Sequence, residues 1–217
     1  MGRFALLLAT AGLIGIGGWQ WATRWHPSPE VYPLQGVDLP VDAPALEWGS
    51  VRAAGADFAY ITATSGPRNR APAFEVNWQA LPEAGLRRGA VHDFDPCADG
   101  RAQADAFNAV VPRAADALPP VAAIRDEGDC TPVEAARALR TFVGVVETHS
   151  GKPVLLRLSR AAEGRWKLAK TIDRPVWVTA NLFPPGYVDR PWRLWRASDM
   201  RRVDGVTKPM NWNVVAP

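Results

Sequence analysis

From residue 34 onward, short apolar runs recur along the chain, each four to eight residues long and closed by turn-forming or charged residues. The runs are LQGVDL (34–39), FAYITA (58–63), GAVHDF (89–94), PVAAIR (120–125), PVLLRL (153–158), PVWVTA (175–180) and RLWRA (193–197). Their length and their β-branched and aromatic content predict strands. Between the earlier runs the apolar period lengthens to that of a helix. RAQADAFNAVV places Ala104, Phe107 and Val111 on one face, and TPVEAARALRTFVGVVETH aligns Ala135, Leu139, Phe142 and Val146. The second helix has a marked start: Thr131 can cap it, Pro132 suits its first position, and Glu134 completes a capping box. Strands that are mostly apolar and alternate with helices predict a parallel sheet, and their number predicts closure. The expected fold is therefore α/β, an irregular TIM-like (β/α) barrel. Connections after residue 175 are too short for full helices, so fewer helices are expected in the C-terminal part.

The pattern before residue 34 is different. Phe4 to Trp21 is apolar and uncharged behind Arg3. As a helix, these residues would reach roughly 27 Å, enough for a bilayer core, with Trp19, Trp21 and Trp25 at the interface. Residues 1–21 are thus expected to be a transmembrane signal anchor, or alternatively a cleaved signal peptide. Residues 22–33 are proline-rich and aperiodic, which predicts a tether, and residues 34–217 form the barrel domain. The expected location is membrane-anchored in the inner membrane and facing the periplasm, or secreted if the segment is cleaved.

Composition narrows the function mainly by exclusion. A net charge of +3 comes from arginines and lysines scattered among acids, so no basic run points to nucleic acid. The Gly-rich GLIGIGG follows no strand and matches no phosphate-cradling fingerprint. Three histidines and two cysteines lack ligand spacing, so neither a metal nor a cofactor is expected. Ser65, Ser159 and Ser198 have no nucleophile-elbow context. Cys97 and Cys130 each follow a predicted strand. In an oxidising compartment they would pair if those strands are neighbours; otherwise they are two free thiols.

In a barrel of this kind, chemistry sits at the C-terminal strand ends. Those ends hold Asp38, residues 64–66, 92–95, 123–127, 177–181, 195–199 and 211–213. Together they resemble glycoside hydrolase family 25, the lysozymes or muramidases that cut the glycan strand of peptidoglycan. GVDLP is similar to the family's opening G-[IV]-D. EWGSVRAAGADFAYITATSG resembles its D-W-x-x-V-x-x-x-G-x-x-F-x-[FY]-I-K-A-T-E-G, and FEVNWQALPEAGLRRGAVHDF its F-x-x-N-x-x-x-A-x-x-A-G-L-x-x-G-A-Y-H-F. LPPV, WVTANLF, WRLWRASDMRRVDGV and NWNVV continue the register, so the resemblance spans residues 34–215. It also aligns Cys97 and Cys130 with a cysteine pair found in a bacterial branch of the family.

The resemblance implies a glycan site with most of its carboxylates replaced. The family's D-x-E falls on Ala123 and Arg125, its V-D-x-N on residues 210–213, and the glutamate of its A-T-E-G on Ser65. Asp38 is the only retained family acid. Arginine carries no usable proton at neutral pH, and alanine offers neither charge nor hydrogen bond. The sequence therefore favours a binding domain for peptidoglycan, another cell-wall glycan or a cell-wall protein. The alternative is an active muramidase with relocated carboxylates drawn from Asp38, Asp93, Asp95 and Glu127. A solvated loop is the plainer reading of those acids, with Arg125 paired to Asp38 or Asp93. The expected substrate-binding residues are His92, Arg125, Trp177, Asn181, Trp195, Asn211 and Asn213, each of which also has a plainer reading as a packing or structural group. Trp48 and Trp78 are expected in the core.

Overall fold

A computed structural model describes residues 2–217, with side chains described at residue 10 and from residue 12 onward. Nine strands are defined: β1 (Gln35–Leu39), β2 (Phe58–Ser65), β3 (Asn69–Arg70), β4 (Arg87–Phe94), β5 (Val121–Ile124), β6 (Leu155–Leu158), β7 (Val176–Thr179), β8 (Leu194–Arg201) and β9 (Met210–Val215). The sheet runs β1-β9-β8-β7-β6-β5-β4-β2, and the parallel β1–β2 pairing closes it into an eight-stranded barrel, with β3 as a two-residue flap on β2. The helices are α1 (Gly2–Arg24), α2 (Trp48–Ala53), α3 (Phe74–Glu83), α4 (Gly100–Asn108), α5 (Pro132–Ser150), α6 (Arg160–Trp166) and α7 (Leu168–Thr171). No helix follows β7, β8 or β9, as the short late connections imply. β9, absent from the strand expectations, runs antiparallel to both β1 and β8. Its MNWNVV alternates polar and apolar residues because it lines the barrel with one face only.

Alternation divides the side chains into two layers. Outward residues such as Val37, Ile61, Phe94, Ile124, Leu156, Val178 and Trp212 pack beneath the helices in the main core, together with Trp48 and Trp78. Inward residues Phe58, Tyr60, Val91, Val121, Ala123, Leu155, Trp177 and Leu194 fill the barrel in a separate cluster. Two glycines make room for Phe58 and Tyr60. A Cβ on Gly36 would lie 2.3 Å from the Phe58 carbonyl oxygen, and one on Gly89 would lie 2.2 Å from the Tyr60 ring. The capping box of α5 forms as expected, with Thr131 Oγ1 accepting from the Glu134 amide at 3.3 Å.

β4 and β5 are neighbours, and Cys97 and Cys130 form a disulfide just beyond their ends. This loop-to-loop link ties the two connections that carry Asp95, Arg125 and Glu127.

The apolar N-terminal run forms α1, but the side chains of residues 2–9 and of Ala11, in the first half of the expected anchor, lie outside those described. Among the described residues, no helix is long and apolar enough to cross a membrane. Residues read as a tether lie against the barrel: Gln35 Nε2 donates to the carbonyls of Pro27 and Tyr32 at 2.9 and 3.0 Å, and Trp25 and Tyr32 pack on the main core.

Candidate functional site

The apolar filling ends below the barrel mouth, and the layer above it is charged. Asp38 on β1 points inward and is only 2% exposed. Its Oδ2 accepts from Arg157 Nη1 at 2.8 Å, from Asn211 Nδ2 at 3.1 Å and from Arg196 Nη2. Its Oδ1 accepts from Arg196 Nε at 3.1 Å and Asn213 Nδ2 at 2.9 Å. Five donors converge on a group with about four lone-pair sites. Burial alone would push this carboxyl up, but the guanidinium groups of Arg196 and Arg157 and the amide of Asn213 outweigh it and hold the carboxyl below its ordinary 3.8. Asp38 is therefore a carboxylate with no proton to donate and no free face to offer.

The same arrangement continues around the rim. Arg157 Nη2 lies 3.9 Å from Asp93 Oδ1, so one guanidinium stands between Asp38 and Asp93. Burial and the neighbouring Arg196 pull Arg157 down to about 10, which leaves it charged at neutral pH. Arg125, just beyond β5, donates through Nη2 to Ser65 Oγ at 2.6 Å and pairs with Asp95 Oδ2 at 3.6 Å. The expectation that Arg125 pairs with Asp38 or Asp93 is corrected: those two acids are taken by Arg157 and Arg196, which point inward from the strands across the barrel. Glu127 is exposed on the β5–α5 loop and forms no ion pair among the described residues.

Arg157 and Arg196 are the site residues that the sequence reading missed. Each lies two residues after an inward leucine, Leu155 on β6 and Leu194 on β8, and so occupies the inward phase near a C-terminal strand end. A cation in that phase was the available signal. Its partner could not be read, because Asp38 is 119 and 158 residues away in sequence.

Several expected contact residues are instead buried. Trp177 is fully enclosed in the barrel filling, with the Arg157 guanidinium 5.2 Å above its ring, and presents no face to a sugar. Trp195 faces the outer core, where its Nε1 donates to Ala180 O at 2.7 Å. Trp212 also faces outward and donates to Gln35 Oε1 at 2.6 Å. Both occupy the outward phase of strands whose inward phase lines the mouth. Asn181 is exposed beyond β7 and donates to Asp199 Oδ1 at 2.9 Å. Asn211 and Asn213 do reach the site, as donors to Asp38.

His92 likewise turns outward from β4 and is 0% exposed. Gln103 accepts from the Asp95 amide and donates to the Asp95 carbonyl, which orients its Oε1 toward His92 Nε2 at 3.1 Å. Nε2 must then carry the hydrogen, leaving Nδ1 to accept from Thr64 Oγ1 at 2.7 Å. Burial pulls this imidazole down to about 4. The unfolded chain binds a proton near 6.5 and the folded one does not, so His92 supports the fold fully above that pH. The support is lost as pH falls from 6.5 to about 4, with a total of about 3 kcal/mol. Thermal melts across this range should show the loss, and His92→Gln should flatten the slope; an unchanged slope would place the acid sensitivity elsewhere.

The sequence model described as glycosyl hydrolases family 25 matches residues 38–206. The chain belongs to that family. The Escherichia coli (strain K12) protein YegX, itself uncharacterized, is 29% identical over 193 residues, covering 86% of this chain and 71% of that protein. Lysozyme M1 of Streptomyces globisporus is 41% identical over 75 residues, covering 34% of this chain and 26% of that protein. Among solved structures, a family 25 glycosyl hydrolase from Bacillus anthracis superposes with a TM-score of 0.80 at 24% identity, covering 90% of this chain and 93% of that one. A bacterial lysozyme from Streptomyces coelicolor superposes with a TM-score of 0.74 at 25% identity, covering 85% and 92%.

Family 25 membership gives the charged layer its chemical meaning. Glycoside hydrolysis uses one carboxylic acid to protonate the leaving oxygen and a second carboxylate or equivalent group to stabilise an oxocarbenium-like transition state. Here three of the residues at positions that align with family acids bond to one another or to Asp38, Arg125 to Ser65 and Asn211 to Asp38, while Ala123 packs in the apolar filling. Asp38, Asp93 and Asp95 each face an arginine at ion-pair distance. A cation beside a developing positive charge raises the barrier instead of lowering it.

Proposed function

We propose that this family 25 domain binds the peptidoglycan glycan strand at the barrel mouth and does not cleave it. One observation carries the reading: Asp38, the acid retained from the family pattern, is enclosed by Arg157 and Arg196 and saturated with donors. The lysozymes among its relatives make peptidoglycan the ligand class. Arg125 and Asp93, at the rim and only part-buried, offer the charged donor and acceptor with which a sugar or a peptide carboxylate would bond. The reading includes export, which the Cys97–Cys130 disulfide and the apolar N-terminal helix both favour.

The test is co-sedimentation of the purified protein with insoluble peptidoglycan. The protein should pellet with it, and Arg125→Ala should weaken that binding about tenfold through loss of one charged contact. Equal partitioning with and without peptidoglycan would discard the proposal.

A further inference from the structure

A second cationic site lies on the outer wall of the barrel, away from the mouth. Arg201, the last residue of β8, lies with its guanidinium carbon 3.5 Å from the centre of the Trp212 ring, and its Nη2 donates to the Ala54 carbonyl at 3.1 Å. The residue is only 8% exposed. Its Nη1 is buried with no acceptor, and no carboxylate pairs with it among the described residues. Other part-buried arginines differ. Arg88, Arg157, Arg174 and Arg196 each face Asp or Glu. Taking a cation out of water without a counter-charge costs several kcal/mol, and burial pulls this guanidinium down to about 10.

Arg201 lines a cleft of about 750 Å³ between the last turns of α1 and the chain that leaves β8. Arg24 and Arg202 line it too; both are exposed, and neither forms an ion pair among the described residues. Trp19 and Gln20 complete the α1 side, and Asp204 is the one acid on the wall. The two walls meet at a backbone hydrogen bond, from the Arg202 amide to the carbonyl of the buried Thr23 at 2.8 Å.

We propose that this cleft binds a phosphate group through Arg24 and Arg202, with the unpaired charge of Arg201 behind them in the wall. Three cations against one aspartate suit a tetrahedral dianion, and the exposed planar forks of Arg24 and Arg202 match its oxygens in pairs. The volume exceeds that of phosphate alone, so the group arrives on a larger molecule, with Trp19 as the wall for its organic part. That molecule is either a soluble phosphate ester or a lipid headgroup. Exposed Leu13, Ile14, Ile16 and Trp21 on α1 favour the headgroup.

Thermal melts of the full chain in sodium phosphate, against sodium chloride at equal ionic strength, test the site. At about ten times Kd, phosphate should raise Tm by about 3–5 °C. The gain should vanish in Arg24→Gln/Arg202→Gln, whose side chains are exposed, and in Arg201→Met, which keeps much of the stacking bulk on Trp212. Vesicle flotation separates the sources. If the ligand is a headgroup, binding to phosphatidylglycerol vesicles falls about tenfold in the double variant, while binding to phosphatidylcholine vesicles does not. If it is a soluble ester, flotation is the same in both proteins while the phosphate gain still depends on the arginines. Phosphate acting no better than chloride, or equally on wild type and variants, would overturn the proposal and leave Arg201 as a cap on Trp212.

Discussion

Peptidoglycan incubated with the purified protein is expected to release no muropeptides above a protein-free control. General acid help contributes about 10² to 10⁴ in rate, and electrostatic stabilisation of the transition state often contributes more, so a mouth lacking both would have no family-type turnover. Two features of the mouth support this expectation. No protonatable group stands where the resemblance places the family's acid; Arg125 stands there, held by Ser65 and Asp95. The retained acid, Asp38, faces two guanidinium groups that would meet a developing oxocarbenium with like charge. Restoring the pattern with Ala123→Asp/Arg125→Glu is expected to stay below one hundredth of a family lysozyme assayed in parallel, an estimate from the 10² minimum for general acid help. Arg157 is the direct strand neighbour of position 123 and would pair with the new aspartate. Muropeptide release by the wild type that Asp38→Ala abolishes would show that the mouth still works as a hydrolase.

Asp38→Ala should also lower the melting temperature by about 10 °C, corresponding to about 3–5 kcal/mol. The deletion leaves Arg157 and Arg196 side by side at a part-buried layer, takes the acceptor from the Asn211 amide, and leaves the Asn213 amide only its 3.5 Å bond to the Asn211 carbonyl. Removing Arg157 as well should recover part of the loss, since the repulsion between the two cations goes with it. The pH dependence has a defined sign. The folded pKa of Asp38 lies below its ordinary 3.8, so its contribution is fully present above that pH and is lost as pH falls through the folded value. The gap between the melts of wild type and Asp38→Ala should therefore begin to narrow as pH falls below 3.8. A variant as stable as wild type at pH 7 would mean that the ion cage holds nothing together.

The two effects share one source. Both rest on Asp38, whose carboxylate is completed internally by five donors. The outer layer follows the same logic at His92, whose two nitrogens are both satisfied by Thr64 and Gln103, leaving it no part at the mouth.

Local pattern determined a good deal by itself. Apolar runs alternating with helical periods are enough to specify a closed α/β barrel, because each strand and helix must bury its apolar face on a neighbour. The order of the GVDLP, FAYITATSG and GAVHDF segments identified the family, and the ungapped register through AAIRDEGDC placed alanine and arginine at the acid positions. Tertiary structure alone decided which charge meets which. Arg157 and Arg196 reach Asp38 only because closure brings β6, β8 and β1 around one axis, and the phase of each strand decides whether a tryptophan or an arginine turns inward. Coulomb energy depends on distance in space, and sequence separation carries almost no information about that distance once a sheet has closed on itself.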